Sequence, residues 1–376
     1  MLALILACLF LMPLSVFAVE ADAENGMQFD CTSAILMDAA TGQVLFEQNA
    51  DEALPPASVT KVMTLLLVME AIEAERIALG DTVTVSAKAA GMGGSQVFLK
   101  EGESMSVEEM LKCVIIASAN DCAVALAEHV AGSEENFVSQ MNTRAAALGM
   151  ANTHFENTNG LDDTVKNHVT SARDIAIMSR ELIRYPKVLE YSGTWMDSIR
   201  DGAFGLTNTN RLVRFYPGCT GLKTGSTAKA GFCISATAER NGMSLICVIM
   251  GAKTRDTRNA AATALLDYGF ANFTTYRHEA GEATVPLIGG EARELSVSFD
   301  AFACTVEKGR AQNVVCEIAL PENVVTPVKN GDVVGNIIYT LDGKEVGRVP
   351  IVATETADKI GFSKLFCMLL YRFLII

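Results

Sequence analysis

The chain has 376 residues, of which 50% are hydrophobic and 20% charged, so it holds enough apolar material for the cores of two globular domains. A formal net charge of −14 argues against a nucleic-acid-binding protein, because such a protein needs a basic surface to meet the phosphates. The 10 cysteines and 4 histidines follow no disulfide or metal-ligand spacing, and we therefore expect no metal and no other cofactor.

Residues 1–18 are predicted to be a secretory signal peptide. An apolar run from Leu2 to Leu11 is followed by small residues that end at Ala18, which is the pattern of a cleavage site. No Lys or Arg precedes the run, so an uncleaved membrane anchor is the alternative, although a spanning helix needs ~20 apolar residues. The segment predicts an exported protein.

A serine and a lysine are placed together by the first long helix. Two strands, Ser33–Asp38 and Gln43–Glu47, precede a proline pair and an apolar segment that predicts a helix from Ser58 to about Glu75. Ser58 and Lys61 are three residues apart and share a helix face. The helix macrodipole favours negative charge on the Ser58 oxygen, and a lysine that loses its proton on burial can accept the serine proton. The plainer interpretation is an N-terminal cap followed by a surface lysine.

A polar break interrupts the helices that follow. The capping box Ser106–Glu109 predicts a helix from Met110 to Ala117, and another helix is predicted from Cys122 to Val130. Ser118-Ala119-Asn120 stands between them, where a hydroxyl, an amide and free backbone groups can point into a cleft. Further helices are predicted from Ser133 to Leu148 and from Thr170.

The segment Lys223-Thr224-Gly225 leads into two strong strands joined by a hairpin turn, Gly231–Ala238 and Met243–Met250, and a helix from Thr257 to Tyr268 follows. A sheet edge is suited to pairing with an extended peptide. Residues 27–277 are therefore predicted to form an α/β domain in which an antiparallel sheet packs against helices, with a mostly helical insert in the middle.

The last hundred residues differ in composition from the rest. Short strands and turns over residues 282–355 predict a small all-β sandwich domain. Residues 359–376 predict an amphipathic helix that is too short to span a bilayer and suits the membrane interface, with Lys364 and Arg372 facing the lipid phosphates. The alternative is a helix docked on the core of the protein itself.

The three motifs Ser58–Lys61, Ser118–Asn120 and Lys223–Gly225 together resemble the signature of the penicillin-recognising acyl-serine enzymes. The segment Asn208–Arg211, the helix from Arg258, the β-rich second domain and the amphipathic tail extend the resemblance to the low-molecular-mass penicillin-binding proteins of the D-alanyl-D-alanine carboxypeptidase type. It covers nearly the whole mature chain and implies the penicillin-recognising acyl-serine transferase fold.

The resemblance implies a set of catalytic roles. Ser58 would be the nucleophile, Lys61 its general base, and Ser118 a link between Lys61 and the leaving-group nitrogen. Asn120 would hold the substrate amide and Lys61 together, and the backbone N–H groups of Ser58 and Ser226 would form the oxyanion hole.

It also implies how substrate binds. Lys223 and Thr224 would receive the terminal carboxylate of the substrate, with Arg258 as a second carboxylate partner. The alternative interpretation of Arg258 is an arginine at the protein surface. Gly225 would let the substrate backbone approach closely. Ser226 stands where some relatives carry an aromatic residue or histidine, which leaves its N–H unchanged.

The implied activity is removal of the terminal D-alanine from peptidoglycan stem pentapeptides through an acyl-enzyme on Ser58, with β-lactam antibiotics as inhibitors. We expect the enzyme at the outer face of the cytoplasmic membrane, held by its tail. Two alternatives stay open. A β-lactamase of the same superfamily would use a glutamate for deacylation, and Glu156 stands in the right interval but without the expected neighbours. A non-catalytic β-lactam or peptidoglycan sensor would have no need to keep all three motifs.

Overall fold

The computed structural model describes residues 26–163 and 165–374, so the predicted signal peptide lies outside the described residues. One unit of the described chain ends at Thr274 and a second begins at Thr275. The helices of the first unit are α1 Lys61–Glu73, α2 Ala87–Ala90, α3 Val107–Ile116, α4 Asn120–Ala131, α5 Glu134–Ala147, α6 Ala172–Leu182, α7 Pro186–Ser192, α8 Leu212–Phe215 and α9 Arg255–Asn272. Its strands are β1 Ser33–Asp38, β2 Val44–Gln48, β3 Thr82–Thr84, β4 Ser104–Ser106, β5 Met196–Ile199, β6 Phe204–Thr207, β7 Cys219–Thr227, β8 Gly231–Arg240 and β9 Met243–Ala252.

Five strands form the central sheet in the order β2-β1-β9-β8-β7. Every neighbouring pair is antiparallel, which confirms the predicted sheet. Strand alternation gives each face its own core. Leu36 and Ala34 join the cluster around α9, whereas Ile35 and Met37 join the cluster of the helical side. The sheet is therefore a middle layer, and its β7 edge lies beside the short 3-10 turn Ala57–Thr60 that precedes α1.

Helix α1 is buried on nearly all sides, as its uniformly apolar composition predicts. Its first residue, Lys61, has 0% of its surface exposed. The residue before the serine of the 3-10 turn, Ala57, has φ 48, and Ser118 between α3 and α4 has φ 63. Left-handed backbone is costly for residues other than glycine and persists where the surrounding structure holds it. Two of the three motifs thus contain or adjoin such a position.

The capping predictions are reproduced, and one helix boundary differs. Ser106 accepts from the Glu109 N–H at 3.2 Å and Ser133 accepts from the Asn136 N–H at 3.2 Å, so both cap their helices. Helix α4 begins at Asn120 rather than at Cys122. The polar residues Asn120 and Asp121 form its first turn because the Asp121 carboxylate accepts backbone N–H bonds from the neighbouring loop as well as from Cys122.

Strand β10 Phe273–His278 runs across the boundary between the units. The second unit contains β11 Gly281–Ile288, β12 Glu294–Phe299, β13 Phe302–Glu307, β14 Val314–Ala319, β15 Val324–Val325, β16 Val333–Leu341, β17 Lys344–Ala353 and helix α10 Phe362–Leu374. A six-stranded sheet has the order β14-β16-β17-β12-β11-β15, and β10 pairs with β13. The ring of Phe302 on β13 stacks on that of Tyr339 at 3.9 Å, and Tyr339 has 0% exposure. An all-β domain with one aromatic-rich core follows.

The C-terminal helix α10 is amphipathic and exposed along the residues whose side chains are described. Phe362, Phe366, Leu369 and Phe373 all present apolar surface to solvent, and Lys364 pairs with Glu291. Among the described residues, no helix combines the length and the hydrophobicity that a membrane span would require.

Candidate active site

Ser58 and Lys61 are in contact at the start of α1. Ser58 lies on the 3-10 turn, and Lys61 Nζ donates to its Oγ at 2.9 Å. The three-residue spacing produces this contact because the chain passes directly from a 3-10 turn into the α-helix. Ser58 lines a cleft of about 570 Å³, so its hydroxyl has access to a ligand.

Lys61 donates to three oxygen atoms. Besides Ser58 Oγ they are Asn120 Oδ1 at 2.6 Å and the Asn159 carbonyl at 2.8 Å. Burial, and next the charge of Lys223, hold the pKa of Lys61 well below its usual range, and Asp121 opposes this shift. The arrangement allows Lys61 to give up its proton more readily than an exposed lysine.

The contact of Ser118 is with Lys223 rather than with Lys61. Lys223 Nζ donates to Ser118 Oγ at 2.8 Å and to the Thr224 carbonyl at 2.9 Å. The expectation from resemblance placed Ser118 next to Lys61, but Asn120 and Asn159 already occupy the remaining N–H groups of that lysine. Burial, followed by the charge of Arg258, lowers the pKa of Lys223 to about 7.

Asn120 is fixed from two sides. Its Nδ2 donates to the Gly93 carbonyl at 2.7 Å, which leaves its Oδ1 for Lys61. The backbone N–H of Asn120 donates to the Ser95 carbonyl at 2.7 Å, and Ser95 lines the cleft. The Ser118–Asn120 motif is therefore attached to the loop that contains Gly93 and Ser95.

Strand β7 packs directly against the 3-10 turn that carries Ser58. A Cβ at Gly225 would lie 2.7 Å from Ser58 N and 2.9 Å from Val59 N, closer than side-chain carbons approach backbone. The glycine was expected to make room for a substrate backbone. The structure shows that a glycine is also needed here because the turn that carries Ser58 packs against this position. Gly225 and Ser226 both line the cleft beside Ser58.

Arg258 is not a surface side chain. It is 3% exposed, lines the cleft, and donates through Nη1 to the Cys233 carbonyl at 3.2 Å. Thr224 Oγ1 donates to Thr209 Oγ1 at 2.8 Å, which orients the hydroxyl of the third motif. This end of the cleft therefore combines a buried guanidinium, a buried lysine and two hydroxyl groups, a set suited to an anion.

Sequence reasoning missed several residues of the site. The Asn159 carbonyl reaches Lys61 from a loop held by Glu134, whose carboxylate accepts from Thr158 Oγ1 at 2.8 Å. This contact could not be predicted from the pattern of side chains, because it is made by a backbone carbonyl. The segment around β5, β6 and α8 also lines the cleft, and the sequence pointed to it only through the Asn208–Arg211 stretch. Its cleft residues include Trp195, Thr207, Thr209, Arg211 and Phe215.

His168 is tied to the serine turn through one hydroxyl. Its Nδ1 accepts from the Glu156 backbone N–H at 3.0 Å, so Nε2 carries the proton and donates to Thr60 Oγ1 at 2.7 Å. Thr60 Oγ1 donates in turn to the Ala57 carbonyl at 2.8 Å. Burial lowers the pKa of His168 to about 4, so the ring is neutral and structural near pH 7.

Glu156 does not line the cleft. Its carboxylate accepts from the Lys166 N–H at 2.8 Å and the Asn167 N–H at 3.1 Å. These backbone N–H bonds hold the pKa of Glu156 below its usual range, which is the wrong direction for a general base. Glu156, the residue on which the β-lactamase alternative depended, therefore stabilises its own loop.

A serine bonded to a buried lysine, a second serine bonded to another buried lysine, and an antiparallel strand along the same cleft define a penicillin-recognising enzyme that acts through an acyl-serine. Residues 17–254 match the D-alanyl-D-alanine carboxypeptidase family, and residues 270–359 match the C-terminal domain of penicillin-binding protein 5. The chain belongs to the D-alanyl-D-alanine carboxypeptidase family.

Relatives of known name agree in length and in fold. The D-alanyl-D-alanine carboxypeptidase DacF of Bacillus subtilis is 42% identical over 89% of this chain and 87% of its own. The crystal structure of penicillin-binding protein 5 from Haemophilus influenzae is 32% identical, with a TM-score of 0.77 over 89% of this chain and 99% of its own. Penicillin-binding protein D2 from Listeria monocytogenes, solved in its cefotaxime-bound form, is 32% identical with a TM-score of 0.60 over 65% of this chain and 98% of its own.

Proposed function

We propose that this protein is a serine-type D-Ala-D-Ala carboxypeptidase that removes the terminal D-alanine from peptidoglycan stem pentapeptides. One observation carries the assignment of the catalytic pair. Two of the three acceptors around Lys61, Asn120 Oδ1 and the Asn159 carbonyl, can only accept hydrogen bonds. When Lys61 is neutral, its two N–H groups stay with these acceptors, and the 2.9 Å contact with Ser58 reverses so that the lone pair accepts from the hydroxyl. This arrangement supports Lys61 as the base for Ser58.

Acylation follows from this geometry. Lys61 takes the Ser58 hydroxyl proton as Oγ attacks the carbonyl carbon before the terminal D-alanine. The N–H groups of Ser58 and Ser226 stabilise the resulting oxyanion. The C–N bond then breaks as the leaving nitrogen takes the Ser118 hydroxyl proton, so that D-alanine departs as the amine, and the proton held by Lys61 restores the Ser118 hydroxyl. In deacylation, water gives a proton to Lys61 as its oxygen attacks the acyl carbon, the bond to Ser58 Oγ breaks, and Lys61 returns that proton to Ser58.

The substrate is oriented by its carboxylate and its amide. Lys223, Thr224 and Arg258 receive the terminal carboxylate, and charge-assisted hydrogen bonds of this kind are the strong ones in proteins. Asn120 contacts the substrate amide through an Nδ2 hydrogen, while Gly225 keeps β7 close to the serine turn. A β-lactam carries a carboxylate and a strained amide, so it meets the same groups and leaves a long-lived acyl-enzyme on Ser58.

We also propose that the protein is exported and acts at the outer face of the cytoplasmic membrane, where its substrate lies. Helix α10 is the anchor, because the apolar side chains of Phe362, Phe366, Leu369 and Phe373 are exposed and can enter the lipid interface. The names of the relatives support a cell-wall role, and the exposed apolar tail supports attachment at the membrane surface.

The test is a parallel incubation of the full chain, kept in detergent, with a fluorescent penicillin and with a peptide ending in D-Ala-D-Ala. A stable adduct together with released D-alanine, both absent in Ser58→Ala, is the expected result. Fast penicillin turnover without D-alanine release would establish a β-lactamase instead. A stable adduct without peptide cleavage would establish a sensor, and labelling that persists in Ser58→Ala would move the nucleophile elsewhere.

A further inference from the structure

Three arginines converge on one end of the cleft: Arg211, Arg255 and Arg258. Arg211 precedes α8, whereas Arg255 and Arg258 lie in the first turn of α9, so two separate elements bring the charges together. Burial first, and then the charges of Arg255 and Arg211, lower the pKa of Arg258 to about 10. At that pKa the Arg258 guanidinium stays charged near pH 7, and the two neighbouring arginines repel it.

In the part of the chain that the structure describes, none of these arginines forms an ion pair with a carboxylate. Arg258 donates to the Cys233 carbonyl and to Asn259 Oδ1, both uncharged, and the acid in its own turn, Asp256, only raises its pKa through space. Arginines elsewhere on the molecule do find acids, such as Arg173 with Asp51 at 2.8 Å. In a chain with an excess of carboxylates, this cluster is left open to an external anion.

The position of the cluster on α9 strengthens the argument. The N-terminus of an 18-residue helix already carries partial positive charge, and basic residues in the first turn are unfavourable there. Arg255 and Arg258 both occupy that turn, and Arg255 lines the cleft. The helix end and the two side chains therefore add to one positive potential, which an anion in the cleft would satisfy.

The single terminal carboxylate of the substrate leaves part of the positive charge in this end of the cleft without an anionic partner. Under the proposed function, on which this inference rests, the terminal carboxylate of the substrate is taken by Lys223, Thr224 and the buried Arg258. Arg211 and Arg255 are exposed at the rim of the same cleft and have no assigned partner. They lie on the side that receives the carboxylate, which is the side of the leaving group.

We propose that Arg211 and Arg255 form a second anionic subsite, so that the enzyme favours leaving groups that bear a second carboxylate. Such a leaving group is a D-amino acid with an acidic side chain, or an acidic peptide joined through its amine to the D-alanyl carbonyl. The reaction is the same hydrolysis. The acyl C–N bond breaks, the leaving amine gains a proton, and water supplies the hydroxyl of the released D-alanyl carboxylate.

The experiment uses the full chain in detergent and three peptides with one common acyl part ending in D-Ala, followed by D-Ala, D-Gln or D-Glu. D-Glu and D-Gln have nearly the same shape and differ in charge. We expect kcat/KM for the D-Glu peptide to exceed that for the D-Gln peptide by about five- to tenfold at low salt, and the ratio to fall as salt is added. Arg211→Gln and Arg255→Gln each lower the ratio, and the double variant brings it to about one.

Lys253→Gln is the matched control. It removes one positive charge two residues before Arg255 from a side chain that is absent from the cleft lining and pairs with Asp30 at 3.2 Å. The control should keep the wild-type ratio. A ratio of one in the wild-type protein, or a ratio that survives the double variant, would overturn the second subsite. Failure to release D-alanine from the D-Ala peptide would instead overturn the proposed function.

Discussion

Lys223 on strand β7 donates a 2.8 Å hydrogen bond to the hydroxyl of Ser118, which lies between two helices 105 residues away in sequence. The bond couples the group that should hold the substrate carboxylate to the group that should protonate the leaving nitrogen. Lys223 is 1% exposed, and its second bond goes to the Thr224 carbonyl at 2.9 Å. Substrate binding and proton transfer therefore share one side chain.

Replacing Lys223 by alanine should weaken substrates with a free terminal carboxylate far more than the same peptides with an amidated terminus. The loss expected in kcat/KM is about ten- to a hundredfold for the free acid, because a charge-assisted hydrogen bond disappears. The amidated peptide measures the remaining effect on Ser118. Equal losses for the two peptides would remove the carboxylate role from Lys223 and leave only a positioning role.

The pH profile of kcat/KM should distinguish the two lysines. Lys61 must be neutral to act as base, so activity falls toward acid pH as it gains a proton. Lys223 has a pKa of about 7 in the free enzyme and binds carboxylate when charged, so activity on the free acid also falls as pH rises above that value. The profile for the free acid should therefore be bell-shaped, with its basic limb centred near pH 7.

The amidated peptide is the control for that profile. It has no carboxylate for Lys223, so its kcat/KM should keep the acid limb and lose most of the decline on the basic side. The same basic limb with both peptides would mean that a group other than Lys223 titrates there. Lys223→Ala should remove the difference between the two profiles, because the titrating ammonium is then absent.

The contacts that sequence reasoning could predict are the local ones. The pairing of Ser58 with Lys61 follows from helix spacing, and the sheet follows from alternating strands with a hairpin turn. The contact of Ser118 with Lys223 and the Asn159 carbonyl on Lys61 depend on tertiary packing across a long separation in the chain, which periodicity does not report. The burial of Arg258 could not be predicted from the sequence either, because it depends on how α9 packs on the sheet.

Gly225→Ala should damage the serine turn rather than the binding of the carboxylate. The added Cβ would meet Ser58 N at 2.7 Å, so either β7 or the turn must move, at a cost of about 1–3 kcal/mol in the free energy of unfolding. The rate of acylation by a fluorescent penicillin should fall with it, because the oxyanion N–H of Ser58 shifts. Gly205→Ala is the control, since a Cβ at that strand position meets no atom within 4 Å. Equal stability and equal labelling in the two variants would contradict the close packing of β7 on Ser58.

Deleting residues 359–376 should release active enzyme from membranes. The helix removed carries Phe362 and Phe373, which are 83% and 86% exposed and have no protein surface covering them. The cleft lies in another part of the chain, so penicillin labelling should persist in the soluble fraction. A full-length variant with Phe366→Glu and Leu369→Glu tests the same face without truncation, because two carboxylates on the apolar side oppose insertion into anionic lipid. Both proteins should move to the supernatant after membranes are sedimented, and retention of the truncated protein with the membranes would place the anchor outside the tail.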